Sequence, residues 1–364
     1  MKEYQKNIFL AGLISVVTLF AIEIGGHIIY RLTNGVWIWS DQTMEVFNIR
    51  SYMDYTDDER IIAPRKDFVA DPTFGFAFDK AGFRSGLNQY DSRVPNIVFL
   101  GDSVPFGYGV YSNESLPSQF FETMFQDGYE SIGVINAGVP SYSLHQAVFH
   151  YKYAIHGQGY PISIVVVQVL DPANQLNIWG SKWNRTISWT TRNTSVKTDK
   201  WQKRIKSPFY RYSAIGRTLM SMQLQGNKKD HELTFDPSDE EVKKMFIKEN
   251  TKDLETLYEL VRSDNAFLVL LPANLSVSYK QALQEGSHQT LYTAISYLNE
   301  SMKQFAQEHD YSQFYDVVDE FDRIGRDNMF VDDCCHLSRK GNKAQADYLL
   351  RMFKQDGILN TEPE

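Results

Sequence analysis

The stretch Pro95-Asn-Ile-Val-Phe-Leu-Gly-Asp-Ser-Val-Pro-Phe-Gly-Tyr-Gly-Val110 decides the fold. An apolar strand, Asn96–Leu100, runs straight into the turn Gly101-Asp102-Ser103. A short apolar run with no polar alternation reads as a strand buried on both faces, which belongs to a parallel sheet covered by helices. Such sheets bind ligands at the carboxyl ends of their strands, so this turn holds a serine hydroxyl where a substrate would arrive. Far downstream, Asp333-Cys-Cys-His336-Leu-Ser offers a histidine that can act as base toward that hydroxyl. Together the two segments point to nucleophilic serine chemistry.

Working outward, buried apolar strands recur at Asn96–Leu100, Gly133–Asn136, Ile164–Leu170, Ala266–Leu271 and Phe314–Val318, each bounded by turn residues. Helical patterns lie between them. Pro117 fits the first turn of a helix through Phe125, an acidic start introduces a helix near 238–263, and another covers roughly 281–308. This alternation predicts a mostly parallel five-stranded sheet with helices on both faces.

The blocks Gly101-Asp102-Ser103 with Phe106-Gly107-Tyr108-Gly109-Val110, then Asn136-Ala-Gly138-Val-Pro-Ser-Tyr-Ser143, then Asp333-x-x-His336-Leu-Ser-x-x-Gly341 resemble the SGNH (GDSL-type) hydrolase family, in the family's order. The resemblance covers about residues 70 to 355. It implies a flavodoxin-like three-layer α/β/α domain in which Ser103 is the nucleophile, His336 the base and Asp333 the acid that orients it, with Asp332 as the fallback. It also implies an oxyanion hole made by the N–H groups of Ser103 and Gly138 and an asparagine side chain from a third block. That block, normally Gly-x-Asn-Asp, is poorly kept: the strand ending at Leu170 leads into Asp171-Pro-Ala-Asn174, which makes Asn174 the nearest candidate donor. Asp102 is expected to tie the nucleophile loop together and not to serve as the triad acid.

A chain of 364 residues with 43% hydrophobic and 14% aromatic content can bury one large core. Its formal charge of −8 provides no field to attract nucleic acid, and no Cys/His spacing marks a zinc site. Neither a metal nor an organic cofactor is expected. The two cysteines, Cys334 and Cys335, are adjacent, with Cα atoms about 3.8 Å apart, short of the usual disulfide range of about 4.4–6.8 Å. The favoured reading is two small buried thiols beside the site, and the alternative is a strained redox pair.

At the amino terminus, Ile8 to Tyr30 is apolar apart from Glu23 and His27, and as a helix would extend about 34 Å, enough for a hydrocarbon core of about 30 Å. An uncleaved anchor is preferred over a signal peptide because no small-x-small cleavage site follows cleanly. Lys2 and Lys6 precede the run and only Arg31 closely follows it, which places the amino terminus in the cytoplasm and the remaining chain on the periplasmic or extracellular side. The expected layout is an anchor at 1–31, a juxtamembrane connector at 32–94 and a hydrolase-like domain at 95–358.

Between about 175 and 207 the composition changes. Trp179, Trp183, Trp189 and Trp201 fall here, and Lys182 to Lys206 contains eight Lys or Arg against the single acid Asp199. One reading is a substrate platform, with Trp183 and Trp189 for sugar faces and the cations for carboxylate or phosphate. The other is a packed hairpin with solvated charges.

These readings converge on a membrane-anchored serine esterase acting on an acyl, above all acetyl, ester of a cell-envelope carbohydrate or lipid. Two alternatives stand beside it. One is an O-acyltransferase that uses the same acyl-serine with a membrane partner delivering the acyl donor. The other is a catalytically weakened glycan-binding module.

Overall fold

A computed structural model describes residues 2–34, 53–60, 62–71, 76–86, 90–170, 213–215, 240–277, 289–332 and 334–359. The chain divides into two compact units, residues 1–47 with 192–232 and residues 48–191 with 233–364.

The first unit is dominated by helix α1, Lys2–Asn34. Within it Tyr4–Ile29 has a mean hydropathy of 2.3 and no buried residues, so it is long and apolar enough to cross a membrane. Glu23, the acid that interrupts the apolar run, is satisfied inside this unit. Its carboxylate accepts from the Ser213 hydroxyl at 2.9 Å and from the N–H groups of Ala214 and Ile215 at 2.6 and 3.1 Å. His27, one turn on, lies 3.2 Å from the same carboxylate. A carboxylate in an apolar helix is costly unless it is hydrogen-bonded, and three donors remove much of that cost.

The second unit carries the sheet. Two antiparallel hairpins come first, β1 (Met53–Tyr55) with β2 (Ile62–Pro64) and β3 (Val69–Asp71) with β4 (Phe76–Ala77). Five strands then form one parallel sheet: β5 (Asn96–Gly101), β6 (Gly133–Gly138), β7 (Ile162–Gln168), β8 (Phe267–Leu271) and β9 (Ser312–Phe314). Their spatial order is β6-β5-β7-β8-β9, the flavodoxin-like doubly wound order. The order reverses between β5 and β7, and a crevice opens at the carboxyl end of such a reversal.

Seven further α-helices among the described residues are α2 (Ser103–Phe106), α3 (Leu116–Gln126), α4 (Leu144–Ala154), α5 (Glu240–Ser263), α6 (Gln289–Glu308), α7 (Val317–Ile324) and α8 (Arg339–Gln355). Alternate residues of β5 choose the layers. Val98 and Leu100 pack with Val148, Leu257 and Leu298 of α4, α5 and α6. Ile97 and Phe99 pack with Phe120 of α3 and Leu349 and Phe353 of α8. Every residue of β5 is buried, as a strand covered on both faces requires.

Four of the expected strands match closely, and the fifth is displaced. Phe314–Val318 was expected to be extended, but β9 ends at Phe314 and α7 begins at Val317. The cause is Asp316, whose side chain caps the helix by accepting from the N–H groups of Val318 and Asp319 at 3.1 and 3.3 Å. Of the helix expected over 281–308, residues 281–288 lie outside the described residues, and the rest is α6.

Candidate active site

The site is assembled at the carboxyl edge, beginning with the end of β5. Gly101 adopts φ +149, and a Cβ there would stand 1.8 Å from the Gln168 carbonyl oxygen of β7, so only glycine fits. Asp102 then caps α2. One of its oxygens accepts from the Val104 N–H at 2.9 Å and the other from the Leu170 N–H at 2.6 Å, which ties the turn to the segment leaving β7. Ser103 is the first residue of α2, a position whose N–H has no partner within the helix.

Arg84 closes the turn from the opposite side. It is 2% exposed, and its guanidinium donates to the carbonyls of Phe106, Gly107 and Val110, the last two at 2.6 and 2.9 Å. Its charge also lies 4.5 Å from the centre of the Phe106 ring. One buried cation therefore organises three successive parts of the loop that follows Ser103.

The base comes from the segment between α7 and α8. A bridge between Phe330 and Leu337, with Val331 N–H donating to the His336 carbonyl at 2.9 Å, turns residues 331–336 into a tight loop. Asp332 sits inside it. Its Oδ1 accepts from the N–H groups of Cys334, Cys335 and His336 at 3.1, 3.0 and 3.2 Å, and its Oδ2 meets His336 Nδ1. The other ring nitrogen, His336 Nε2, lies 2.8 Å from Ser103 Oγ. Burial alone would raise the Asp332 carboxyl, but the His336 contact and the loop N–H groups outweigh it and hold it below the ordinary carboxylate range.

Ser103 and His336 are thus brought together. Asp333, Asn174, Trp183 and Trp189 lie outside the described residues. Among the described residues, the carboxylate that reaches His336 is that of Asp332. Gly138 ends β6 and is buried; its N–H donates to Asn136 Oδ1 at 3.1 Å, and a Cβ there would lie 2.3 Å from the Phe106 nitrogen. Its missing side chain is what lets α2 pack against β6.

Cys334 and Cys335 are joined as a disulfide, in place of the two free thiols expected. The adjacent residues can bridge because the loop folds their side chains toward each other while Asp332 gathers their N–H groups. Asp332, Cys335 and His336 bring metal-type donor atoms within 4.8 Å of one another. Here two of the three are bonded to each other and the third to Cys334.

Two further residues were not singled out from the sequence. The Tyr108 ring packs on the His336 imidazole with centroids 4.8 Å apart, and the only hint of this was its place in the block trailing Ser103. Ser141, just beyond β6, takes a left-handed φ of +67 that no residue type announces.

No family model matches the chain, and no curated relative matches it. Solved structures similar to it include a catalytic mutant of an acetylxylan esterase from Geobacillus stearothermophilus, 12% identical with a TM-score of 0.43, covering 71% of this chain and 93% of that one. A lipase/acylhydrolase from Enterococcus faecalis is 15% identical with a TM-score of 0.42, covering 72% and 97%. A member of the lipolytic G-D-S-L family from Veillonella parvula is 15% identical with a TM-score of 0.40, covering 72% and 100%.

Proposed function

We propose that this chain is a serine esterase of the SGNH type, anchored in a membrane by α1 and cleaving an acyl ester of a cell-envelope carbohydrate or lipid on the periplasmic or extracellular side. The observation that carries the reading is the Asp332–His336–Ser103 relay, with 2.8 Å between His336 Nε2 and Ser103 Oγ. A neutral imidazole held at Nδ1 by a carboxylate presents its Nε2 lone pair to the serine, which is the geometry a general base needs.

In the proposed reaction Ser103 Oγ attacks the ester carbonyl while His336 takes its proton. Collapse of the tetrahedral adduct passes that proton to the leaving alcohol and leaves an acyl-serine. Water, activated by the same imidazole, then releases the acid. Asp332 stays ionised throughout and stabilises the imidazolium. The proposed oxyanion donors are the N–H of Ser103, the N–H of Gly138 and the Asn174 side chain. The second of these requires Asn136 Oδ1 to give up the N–H it now accepts. A glycan platform at Trp183 and Trp189 belongs to the same proposal, and acetyl is the favoured acyl group.

One experiment tests the nucleophile and the side of the membrane together. Intact cells expressing the full chain are treated with a membrane-impermeant fluorophosphonate. The parent should be labelled and Ser103→Ala should not, with ester turnover in membranes falling at least about 10³-fold. Labelling of the variant, or its parental turnover, would sink the nucleophile assignment. Labelling that appears only after lysis would reverse the topology.

A further inference from the structure

Tyr108 stands between Gly107 and Gly109, which both take a left-handed φ of +83. The first turns the chain at the end of α2, where a Cβ on Gly107 would stand 2.5 Å from the Ser115 Cβ. The second lets the loop abut the histidine segment, since a Cβ on Gly109 would lie 2.9 Å from Val331 Cγ2. The residue between them is carried to the base: its ring packs on the His336 imidazole with centroids 4.8 Å apart and planes inclined by 43°.

The ring is held there before any reaction begins. The Tyr108 N–H donates to the Ser103 carbonyl at 3.0 Å, and the side chain packs against the buried cluster that includes Phe78, Phe106, Val139 and Tyr142. Burial raises the Tyr108 hydroxyl above its ordinary range and the Asp332 charge adds to the effect, so the ring is uncharged at neutral pH.

What this contact contributes depends on the charge of the imidazole. While His336 is neutral, the two rings make an ordinary aromatic pair. As Ser103 Oγ attacks the ester, its proton passes to His336 Nε2 and the ring becomes an imidazolium; the same transfer recurs when water attacks the acyl-serine. The face of a tyrosine attracts a cation within about 6 Å of its centre, and the attraction grows as water is excluded. The His336 side chain is only 16% exposed, so water screens the contact weakly. The contact therefore strengthens on the way to the transition state, which is the condition for raising kcat.

We propose that Tyr108 is a positioning residue for the base, whose ring stabilises the imidazolium formed on His336 in acylation and again in deacylation. Asp332 serves the Nδ1 side of the imidazole, and Tyr108 serves its face. This role rests on Ser103 being the nucleophile and His336 the base.

The test replaces Tyr108 in the full chain, assayed in membranes on p-nitrophenyl acetate with active sites counted by a fluorophosphonate. Tyr108→Phe keeps the aromatic face and should stay within about twofold of the parent. Tyr108→Leu keeps apolar bulk without the ring, and kcat and kcat/KM should fall together by about three- to tenfold. Leucine also alters packing, so a series of nearly constant shape decides the matter: Tyr108→Phe carrying one, two and then three ring fluorines, which withdraw electron density from the face. The logarithm of kcat should fall stepwise with each fluorine. A flat series, parental kcat in Tyr108→Leu, or a loss beyond about tenfold in Tyr108→Phe, which would move the role to the hydroxyl, would each overturn the proposal. Ser103→Ala separates the two readings. If it abolishes turnover while the fluorine series is flat, the role of Tyr108 fails alone; parental turnover in Ser103→Ala removes the nucleophile and the role of Tyr108 with it.

Discussion

Ser103 and His336 meet at one point but are supported in different ways. The serine turn is tied to remote parts of the fold: Asp102 reaches Leu170, Arg84 spans three carbonyls, and Gly101 abuts the backbone of β7. The histidine loop is tied mainly to itself, through the three N–H groups on Asp332 and the Phe330–Leu337 bridge, with one longer tether from the Ser276 N–H to the Cys334 carbonyl at 2.7 Å. A group at a strand end inherits the rigidity of the sheet. A base on a loop must be held by local geometry, so changes there should alter chemistry with little effect on global stability.

The largest expected effect breaks the histidine side of this comparison. Asp332→Asn keeps an oxygen for the three N–H groups but loses the charge that holds the imidazole in its tautomer, so kcat should fall about 10²- to 10⁴-fold, with a loss of melting temperature at neutral pH smaller than that of a change in the serine turn. Asp333→Asn, the substitution that the family resemblance would rank first, should stay within about threefold of the parent by the same reasoning. Steady-state kinetics on a p-nitrophenyl ester decide between them, and a collapse in Asp333→Asn alone would return the role to that residue. The depressed Asp332 carboxyl also fixes a sign. The stability it contributes is present above the ordinary carboxylate range and is lost as pH falls through its lower folded value.

A smaller effect is expected on the serine side. Arg84→Leu leaves three carbonyls without their donor and should cost about 3 kcal/mol of stability, with kcat reduced about tenfold as the loop after Ser103 relaxes. Arg84→Lys should recover only part of either loss, because a single ammonium cannot span Phe106, Gly107 and Val110 at once. A variant that melts earlier yet keeps parental kcat below its melting temperature would make Arg84 purely structural. The serine turn would then owe its position to Asp102 and β5 alone.

The sheet was legible because strands buried on both faces leave apolar runs that few other structures produce; Ile97–Leu100 and Ile164–Val167 name themselves. The end of β9 was not, since Tyr315-Asp-Val-Val318 is as apolar as a strand, and one aspartate side chain chooses the helix. At the site, Ser103 and His336 were readable because a Gly-Asp-Ser turn at a strand end and a later Asp-x-x-His stand in the order of the family blocks they resemble. Choosing between Asp332 and Asp333 is beyond sequence spacing, because two adjacent aspartates both stand within four residues of His336. Arg84 gave no signal at all. Its partners are main-chain carbonyls 22 to 26 residues away, and no side-chain pattern records them.

The smallest effect sharpens the comparison most. The Cys334–Cys335 bridge joins two residues whose N–H groups both point at Asp332 Oδ1, so it braces the local geometry on which the base depends. Reduction by a phosphine adds two electrons and two protons and leaves two thiols. Cys335, 1% exposed and packed with Met329 and Leu337, has little room to move, so the loop should loosen without opening. The expected result is a fall in kcat of about two- to fivefold, under about 1 kcal/mol, with KM nearly constant. Cys334→Ser with Cys335→Ser should reproduce that loss and abolish the response to reductant, with alkylation and mass measurement confirming the thiol state of the parent. If reduction leaves kcat untouched, the Phe330–Leu337 bridge and the Ser276 tether hold the loop by themselves. If it removes activity altogether, the loop is far less self-supporting than its hydrogen bonds imply, and the contrast between the two halves of the site is larger than drawn above.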